Sequence, residues 1–314
     1  MELYNLACVG LISNDEIVIN GKSYSCLGGS VIYSCLQWAK FKLNPFLVSI
    51  VGNDIYKDLE SILFSFGINN FYIKVLGEKT LRFRNIYNDT RKQEVLNYSP
   101  VIMDLSFLMN TKFKLISFLP ILNELDFKQI ELLRNSSEYF ALDVQGLCRS
   151  VKDNLIIRKQ WEWSSKYLHL FNIVKADLYE LYALSNNESF EQSINKIAES
   201  GCKIILVTLG KVGSLAFYKD ILLYMSSFEP NRIVDTTGAG DVFLASFNYY
   251  YLKTLNIYDS LTFASAASSY KVENLCFKSI ASEEKILDRI REQKFRPIKL
   301  NFSEIEKIIS NIKP

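Results

Sequence analysis

The 314-residue sequence carries a single histidine, His169, and six cysteines with no CxxC pair among them. One imidazole cannot build a His-based metal site or a Ser-His-Asp triad without far stronger partners. His169 lies in KYLHLFNIV, an apolar run that reads as a strand with the histidine packed in it. The cysteines (Cys8, Cys26, Cys35, Cys148, Cys202, Cys276) lack metal-type spacings, and several fall in apolar runs, where a free thiol behaves as a small hydrophobe. A dominant charge is missing too. Thirty-six Lys and Arg against thirty-four Asp and Glu leave a net +2, and the two signs are interspersed. No electrostatic footprint for nucleic acid or an anionic membrane results.

No apolar run reaches the ~18 residues that span a bilayer. The start, MELYNLACVGLI, lacks the basic stretch of a secretory signal and reads as a first strand, so a cytoplasmic location is expected. Without such a signal the N-x-[ST] sequons at Asn88, Asn135, Asn187 and Asn301 carry no weight. Two phosphate-binding motifs fail on spacing. Gly210-Lys211 is followed by Val212 where a P-loop needs Ser or Thr, and Ile205 stands where its first glycine belongs. No GxGxxG joins an early strand to a helix, which removes the dinucleotide fold. Internal repeats and low-complexity stretches are absent.

What is present is an alternation. From about residue 112, the apolar runs LISFLPIL (115–122), YFALDV (139–144), LHLFNIV (168–174) and KIILVTLG (203–210) have strand length and suit burial on both faces. Segments of helical period separate them, such as 188–200, with Phe190, Ile194, Ile197 and Ala198 on one face. This rhythm predicts an α/β fold, a doubly wound, mostly parallel sheet with helices on both faces. After 241 the chain turns mostly helical, over 241–255, 259–272, 282–294 and 303–312. Earlier, FYIKV and LRFRNIY alternate with period two, the mark of half-exposed strands. Stretches at about 11–26 and 69–99 are therefore expected to form a small β-sheet lid over a single domain spanning 1–314.

Residues 234–247 read VDTTGAGDVFLASF. Gly238 and Gly240 let the backbone expose consecutive N–H groups, and Val242 onward has the look of a helix. A glycine-rich turn feeding a helix start presents unpaired donors and a positive dipole end, which is an anion site. Asp241 then falls at the N-cap or in the first turn, and position alone suits a simple helix cap equally well.

This stretch resembles the C-terminal signature of the PfkB, or ribokinase-like, carbohydrate kinases, and the likeness continues along the chain in order. Gly10 and Asp15 fit the family's G-x-x-x-x-D spacing. Gly28-Gly29 resembles its N-terminal glycine pair, VSIVGND (48–54) its V-G-x-D turn with Asn53, and VTLGKVGSLAF (207–217) its T-x-G-x-x-G segment. DVQGLCR (143–149) resembles a D-x-Q-G-x-x-R run of a subset that includes kinases similar to myo-inositol kinases.

The resemblance implies an ATP-dependent kinase of a sugar or polyol. Asp241 would be the general base, and Gly238, Ala239 and Gly240 an anion hole. Asp15, Gly28, Gly29, Asn53, Tyr33, Gln145 and Arg149 would face the acceptor. Thr208, Gly210, Gly213, Asp177 and Asn274 would border the nucleotide, with the helix from Phe263 to Tyr270 near adenine. Glu180 would reach Mg²⁺ through water; some relatives also hold a monovalent cation such as K⁺ near the positions of Asp235 and Thr237, and the sequence leaves open whether this chain does.

Two positions depart from the pattern. Asp177 replaces the Asn of N-x-x-E and equally suits an N-cap. Tyr33 stands where many sugar-specific members have Asn. Asp143, Gln145 and Arg149 follow a strand end, where open α/β sheets bind ligands, or they form a loop salt bridge. Ser246 stands where many members have Ala or Gly and still fits close helix packing. A nucleoside kinase of the same fold, with Tyr33, Phe83 or Tyr87 stacking on a base, and a non-catalytic binding protein are the alternatives. Similar proteins dimerise through their lids, so a homodimer is a further expectation; neither nucleic acid nor membrane is an expected partner.

Overall fold

A computed structural model describes residues 5–19, 21–87, 91–162, 164–185, 188–310 and 312. The chain opens with β1 (Leu6–Val9), and the hairpin β2 (Ser13–Ile19) and β3 (Lys22–Gly28) runs straight into α1 (Ser30–Lys40). β4 (Phe46–Val51), α2 (Tyr56–Ser65) and β5 (Phe71–Val75) follow, then the antiparallel pair β6 (Arg82–Tyr87) and β7 (Arg91–Leu96). β8 (Phe113–Phe118), α3 (Phe127–Leu132) and β9 (Ser137–Asp143) precede a third hairpin, β10 (Arg149–Lys152) and β11 (Leu155–Arg158). Next come α4 (Ser164–Tyr167), β12 (Ile173–Asp177), α5 (Leu178–Ser185), α6 (Phe190–Glu199), β13 (Ile204–Thr208), β14 (Gly213–Tyr218) and β15 (Ile221–Ser226). The remainder holds α7 (Ala239–Thr254), α8 (Ile257–Lys271), α9 (Glu283–Gln293), β16 (Ile298–Leu300) and α10 (Phe302–Ile309).

Among the described residues the strands form two sheets. The larger runs β16-β15-β14-β13-β12-β9-β8-β1-β4-β5, parallel from β5 to β13 and antiparallel from β13 to β16. Both faces are covered, and β1 shows why its sequence is apolar throughout. Leu6 and Cys8 join one core with α1, α7 and α8 residues such as Val31, Val242 and Leu261. Ala7 and Val9 join the other with Ile130, Leu181 and Ile194 of α3, α5 and α6. Alternate side chains of a buried parallel strand serve opposite layers, so no polar position is left over.

The smaller sheet, β10-β11-β7-β6-β2-β3, is the lid. It differs from the sequence expectation in two places. Phe71–Val75 is no lid strand; it pairs in parallel with β4 at the edge of the main sheet. An edge strand is half-exposed and therefore alternates just as a lid strand does. The hairpin β10–β11 was not anticipated; its Asp153-Asn154 turn has φ of 50° and 58°, the left-handed pair of a two-residue hairpin loop.

The run 168–174 also divides. Leu168–Leu170 is a 3-10 turn that leaves His169 exposed, not packed in a strand, and β12 begins only at Ile173. Cys26 of β3 and Cys276 are in sulfur contact, with Cα atoms 6.0 Å apart and a sequence separation of 250, whereas the other four cysteines are free and buried. No helix among the described residues is long and apolar enough to cross a membrane.

Candidate active site

The C-terminal ends of β9, β12 and β13 and the N-termini of α1 and α7 meet at a cleft of about 530 Å³ beneath the lid. Ligands collect at this edge of an open α/β sheet because the strand ends leave a crevice and the helix N-termini bring positive dipole ends.

The 235–241 loop forms its centre. Asp235 Oδ1 accepts the Thr237 N–H (2.9 Å), which folds the chain back on itself. Gly238 is then the N-cap of α7 at φ 80°, ψ 0°, a left-handed conformation in which a side chain is strained. A Cβ there would lie 2.6 Å from the Tyr33 ring, so glycine is needed on two counts. The Ala239 N–H is used inside the turn, on Thr236 O (3.2 Å), and no side chain caps the helix. The following first-turn amides of a helix have no intrahelical partner.

Asp241 is the third residue of α7, so it lies in the first turn and Gly238 holds the N-cap position. It is 9% exposed and lines the cleft. Burial, then repulsion from Asp143, pushes its carboxyl up to about 6, although Lys175, the Ser30 hydroxyl and Arg149 all favour the ionised form.

Lys175, the middle residue of β12, escaped the sequence reading. Its ammonium is buried and pairs with Asp143 at 3.0 Å. A Cβ on Gly240 would come within 3.1 Å of Lys175 Nζ, so the second glycine of the turn makes room for this cation. Burial alone would lower the Lys175 pKa; Asp143, Glu180, Asp241 and Asp177 outweigh it and hold the ammonium charged. Ser30 also went unnoticed: the first residue of α1, it accepts from Gln145 Nε2 at 3.0 Å, and its hydroxyl favours the ionised form of Asp241.

On the lid side, Asp15 of β2 is buried and accepts from the Phe83 N–H at 3.4 Å. Its carboxylate fills the space where a Cβ on Gly28 would stand, so Gly28 is the floor under Asp15 and does not line the cleft itself. Gly29, at φ 92°, lines it and lies so close to Leu11 O that a Cβ would be 2.3 Å away. Phe83, Gln93, Gln145 and Arg149 complete this half. Tyr33 is 1% exposed with its ring against Gly238, so it shapes the turn more than it offers a free face. The Tyr87 side chain lies outside the described residues. Asn53 is exposed, donates its N–H to Gly77 O, and does not line the cleft.

The opposite half carries Thr208, Gly210 and Gly213 from the end of β13 and the turn beyond it. Leu209, Phe228, Pro230, Ile233 and Val272 give it apolar walls, and Ser265, Ser268 and Ser269 of α8 line its side. Asn274 does not line the cleft; its Oδ1 accepts the next residue's N–H in the turn after α8. At the start of α5 the Asp177 N–H donates to Glu180 Oε2 (2.7 Å) and the Glu180 N–H to Asp177 Oδ1 (2.8 Å). This reciprocal pair is a capping box, so Asp177 caps the helix while also lining the cleft. Burial and then Asp177 push Glu180 up to about 7, against the pull of Lys175 and Arg149.

A helix start open to anions, a buried carboxylate beside it and a groove with apolar walls are the furniture of a phosphotransferase acting on an alcohol group. The sequence model of the pfkB family carbohydrate kinases matches residues 10–277, and the chain belongs to that family. A 5-dehydro-2-deoxygluconokinase of Clostridium beijerinckii is 26% identical over 230 residues, 68% of this chain and 68% of the relative. The ATP-dependent 6-phosphofructokinase of Thermoanaerobacterium thermosaccharolyticum is 23% identical, covering 86% of this chain and 88% of its own. Among solved structures, a pyrophosphate-dependent kinase of the ribokinase family, complexed with a pyrophosphate analogue and myo-inositol, superposes with TM-score 0.78 at 22% identity. That match covers 91% of this chain and all of the other. Arabidopsis thaliana ribokinase, with ribose and ATP, gives 0.73 at 21% identity over 92% and 99%. These likenesses fix the fold as ribokinase-like.

Proposed function

We propose that the protein transfers the γ-phosphate of ATP to a hydroxyl of a sugar or polyol, with Asp241 as general base and the 238–240 backbone as anion hole. The observation that carries this is the placement of a buried, cleft-facing carboxylate in the first turn of α7, next to that helix's open end. Phosphoryl transfer asks the protein mainly for positioning and charge stabilisation. Amides at the start of α7 meet the transferred group, Lys175 adds a fixed positive charge beside Gly240, and Asp241 takes the acceptor proton as the new bond forms. Asp15, Gln145 and Arg149 orient the acceptor from the lid side. A lid closed over the cleft keeps water from competing as acceptor.

Two features favour a polyhydroxylated acceptor over a nucleoside. The acceptor half is lined by Asp15, Gln93, Gln145, Arg149 and Ser30, all hydrogen-bonding groups. Tyr33 is occupied against Gly238, and Phe83 is 3% exposed, which leaves little aromatic face for a base. On the donor side, the apolar walls from Leu209 to Val272 suit a purine, which favours ATP over pyrophosphate. The Asp177–Glu180 pair fits Mg²⁺, a hard cation held through few carboxylates and several waters; the ion would neutralise charge on the donor phosphates. The lid edges β3 and β10 are the strands through which a second copy would pair.

The test is a turnover assay over free sugars, inositols, phosphorylated sugars and nucleosides, read by ADP release with ATP as donor and by orthophosphate release with pyrophosphate. ATP-dependent turnover with a sugar or polyol, lost in Asp241→Asn, is the expected result. Turnover confined to nucleosides, or an undiminished Asp241→Asn variant, refutes the corresponding part.

A further inference from the structure

Pfk-type resemblance raises a monovalent cation beside Asp235 and Thr237, and the residues found there do not fit one. We infer that the Lys271 ammonium, tethered at the end of α8, stands where such a cation would bind, so that the loop leading to the anion hole is held without K⁺. This rests on the reading of 238–240 as that hole.

Lys271 is wholly buried, and Nζ donates to the Asp235 carbonyl (3.1 Å) and to Asp235 Oδ2 (3.3 Å), with both partners of the ion pair fully enclosed. Asp235 Oδ2 also accepts the Cys276 N–H (3.0 Å), and Oδ1 accepts the Thr237 N–H (2.9 Å). The carbonyl and both carboxylate oxygens of Asp235 are therefore engaged by N–H donors, and its negative charge is already balanced. A metal cation added here would face an ammonium in a low-dielectric interior, where like charges repel strongly. The same ammonium lies 5.6 Å from the Tyr33 ring centroid, and that ring packs under Gly238. Lys271 thus reaches the turn twice, through Asp235 along the chain and through Tyr33 across it. It is a positioning residue, since it touches the loop and lies behind the surface that meets the donor phosphates.

The experiment uses the full chain in chloride salts of Na⁺, K⁺, NH₄⁺ and choline at matched ionic strength, read by thermal melting and by turnover. Wild type should melt at one temperature in all four and turn over within about twofold, because a cation that does not bind the native state cannot stabilise it. Lys271→Ala leaves the Asp235 carboxylate buried and uncompensated. It should lose at least about tenfold in turnover and regain Tm and rate in K⁺ or NH₄⁺ but not in choline, as a native-state ligand requires. A wild type whose Tm or rate rises selectively with K⁺ overturns the inference. So does a folded Lys271→Ala that no cation restores, since the lysine would then be only a core fastening. Should Lys271→Ala fail to fold, the wild-type melting series decides alone. The melting arm needs no acceptor, so it separates failure of this inference from failure of the kinase reading.

Discussion

Replacing Asp241 by Asn should abolish catalysis and stabilise the fold at the same time. Turnover should fall at least ~10²-fold, the range for loss of a general base, while ATP affinity changes little. The stability gain follows from the carboxyl's environment. Burial and Asp143 raise its pKa from 3.8 to about 6 in the folded protein, even with Lys175, Ser30 and Arg149 pulling the other way. A carboxyl whose folded pKa is raised favours the folded state when protonated, and that advantage disappears as pH rises through the folded value. Above pH 6 the ionised carboxylate therefore costs stability, roughly two pKa units or about 3 kcal/mol. Asparagine has no charge to bury. With ~2.1 cal/mol/K of unfolding entropy per residue, a chain of this length should gain about 5 °C in Tm at pH 8. Melting curves of both proteins from pH 4 to 8 check this. The difference should be near zero at pH 4, grow through pH 5–6 and level off above. In parallel, the wild-type kcat should fall as pH drops below about 6 and Asp241 takes up a proton. A variant that is less stable at pH 8, or a difference independent of pH, would refute the reasoning.

Other perturbations test the surroundings. Lys175→Met should destabilise by about 3–5 kcal/mol, because it strands Asp143 as an uncompensated buried charge. Urea unfolding measures that loss, and the acidic limb of the pH–rate profile should move to higher pH once Lys175 no longer favours ionised Asp241. Gly238→Ala should cost at least ~1–2 kcal/mol for its left-handed backbone, and more from the Tyr33 contact; a Tm drop accompanied by lost turnover is expected. Ser246→Ala should raise Tm slightly, since the Ser246 hydroxyl is buried without a hydrogen-bond partner, and an unsatisfied buried hydroxyl costs on the order of 1 kcal/mol.

Much of the candidate site could be read because its residues are contiguous in sequence. Asp235 to Asp241 makes one loop, and its glycines announce the backbone conformation they are needed for. The fold was legible for a related reason: strands buried on both faces leave unbroken apolar runs, and the helices at 190–199, 239–254, 257–271 and 283–293 lie within two residues of where periodicity put them. Lys175 was missed although a signal existed, a single cation at the end of the apolar run that becomes β12. Its partner Asp143 lies 32 residues away, and only the parallel pairing of β9 with β12 sets the two opposite. Asn53 and Asn274 were placed by motif position, and their local turns carry them off the cleft. The Cys26–Cys276 contact links residues 250 apart, beyond what any local pattern can report.

The lid brings together three hairpins that leave the main sheet at widely separated points, with β2 and β6 paired in parallel and β7 and β11 antiparallel. Only the central hairpin is flanked on both sides, and each pairing between hairpins joins segments more than fifty residues apart, the kind of non-local contact that slows folding. Each hairpin also delivers cleft residues: Asp15 from β2, Phe83 and Gln93 from β6 and β7, and Arg149 from the first position of β10. An acceptor that touches all three ties the lid's separate pieces together at one point. Binding at the proposed acceptor site would add a tie between the three hairpins beyond the strand pairing that already joins them.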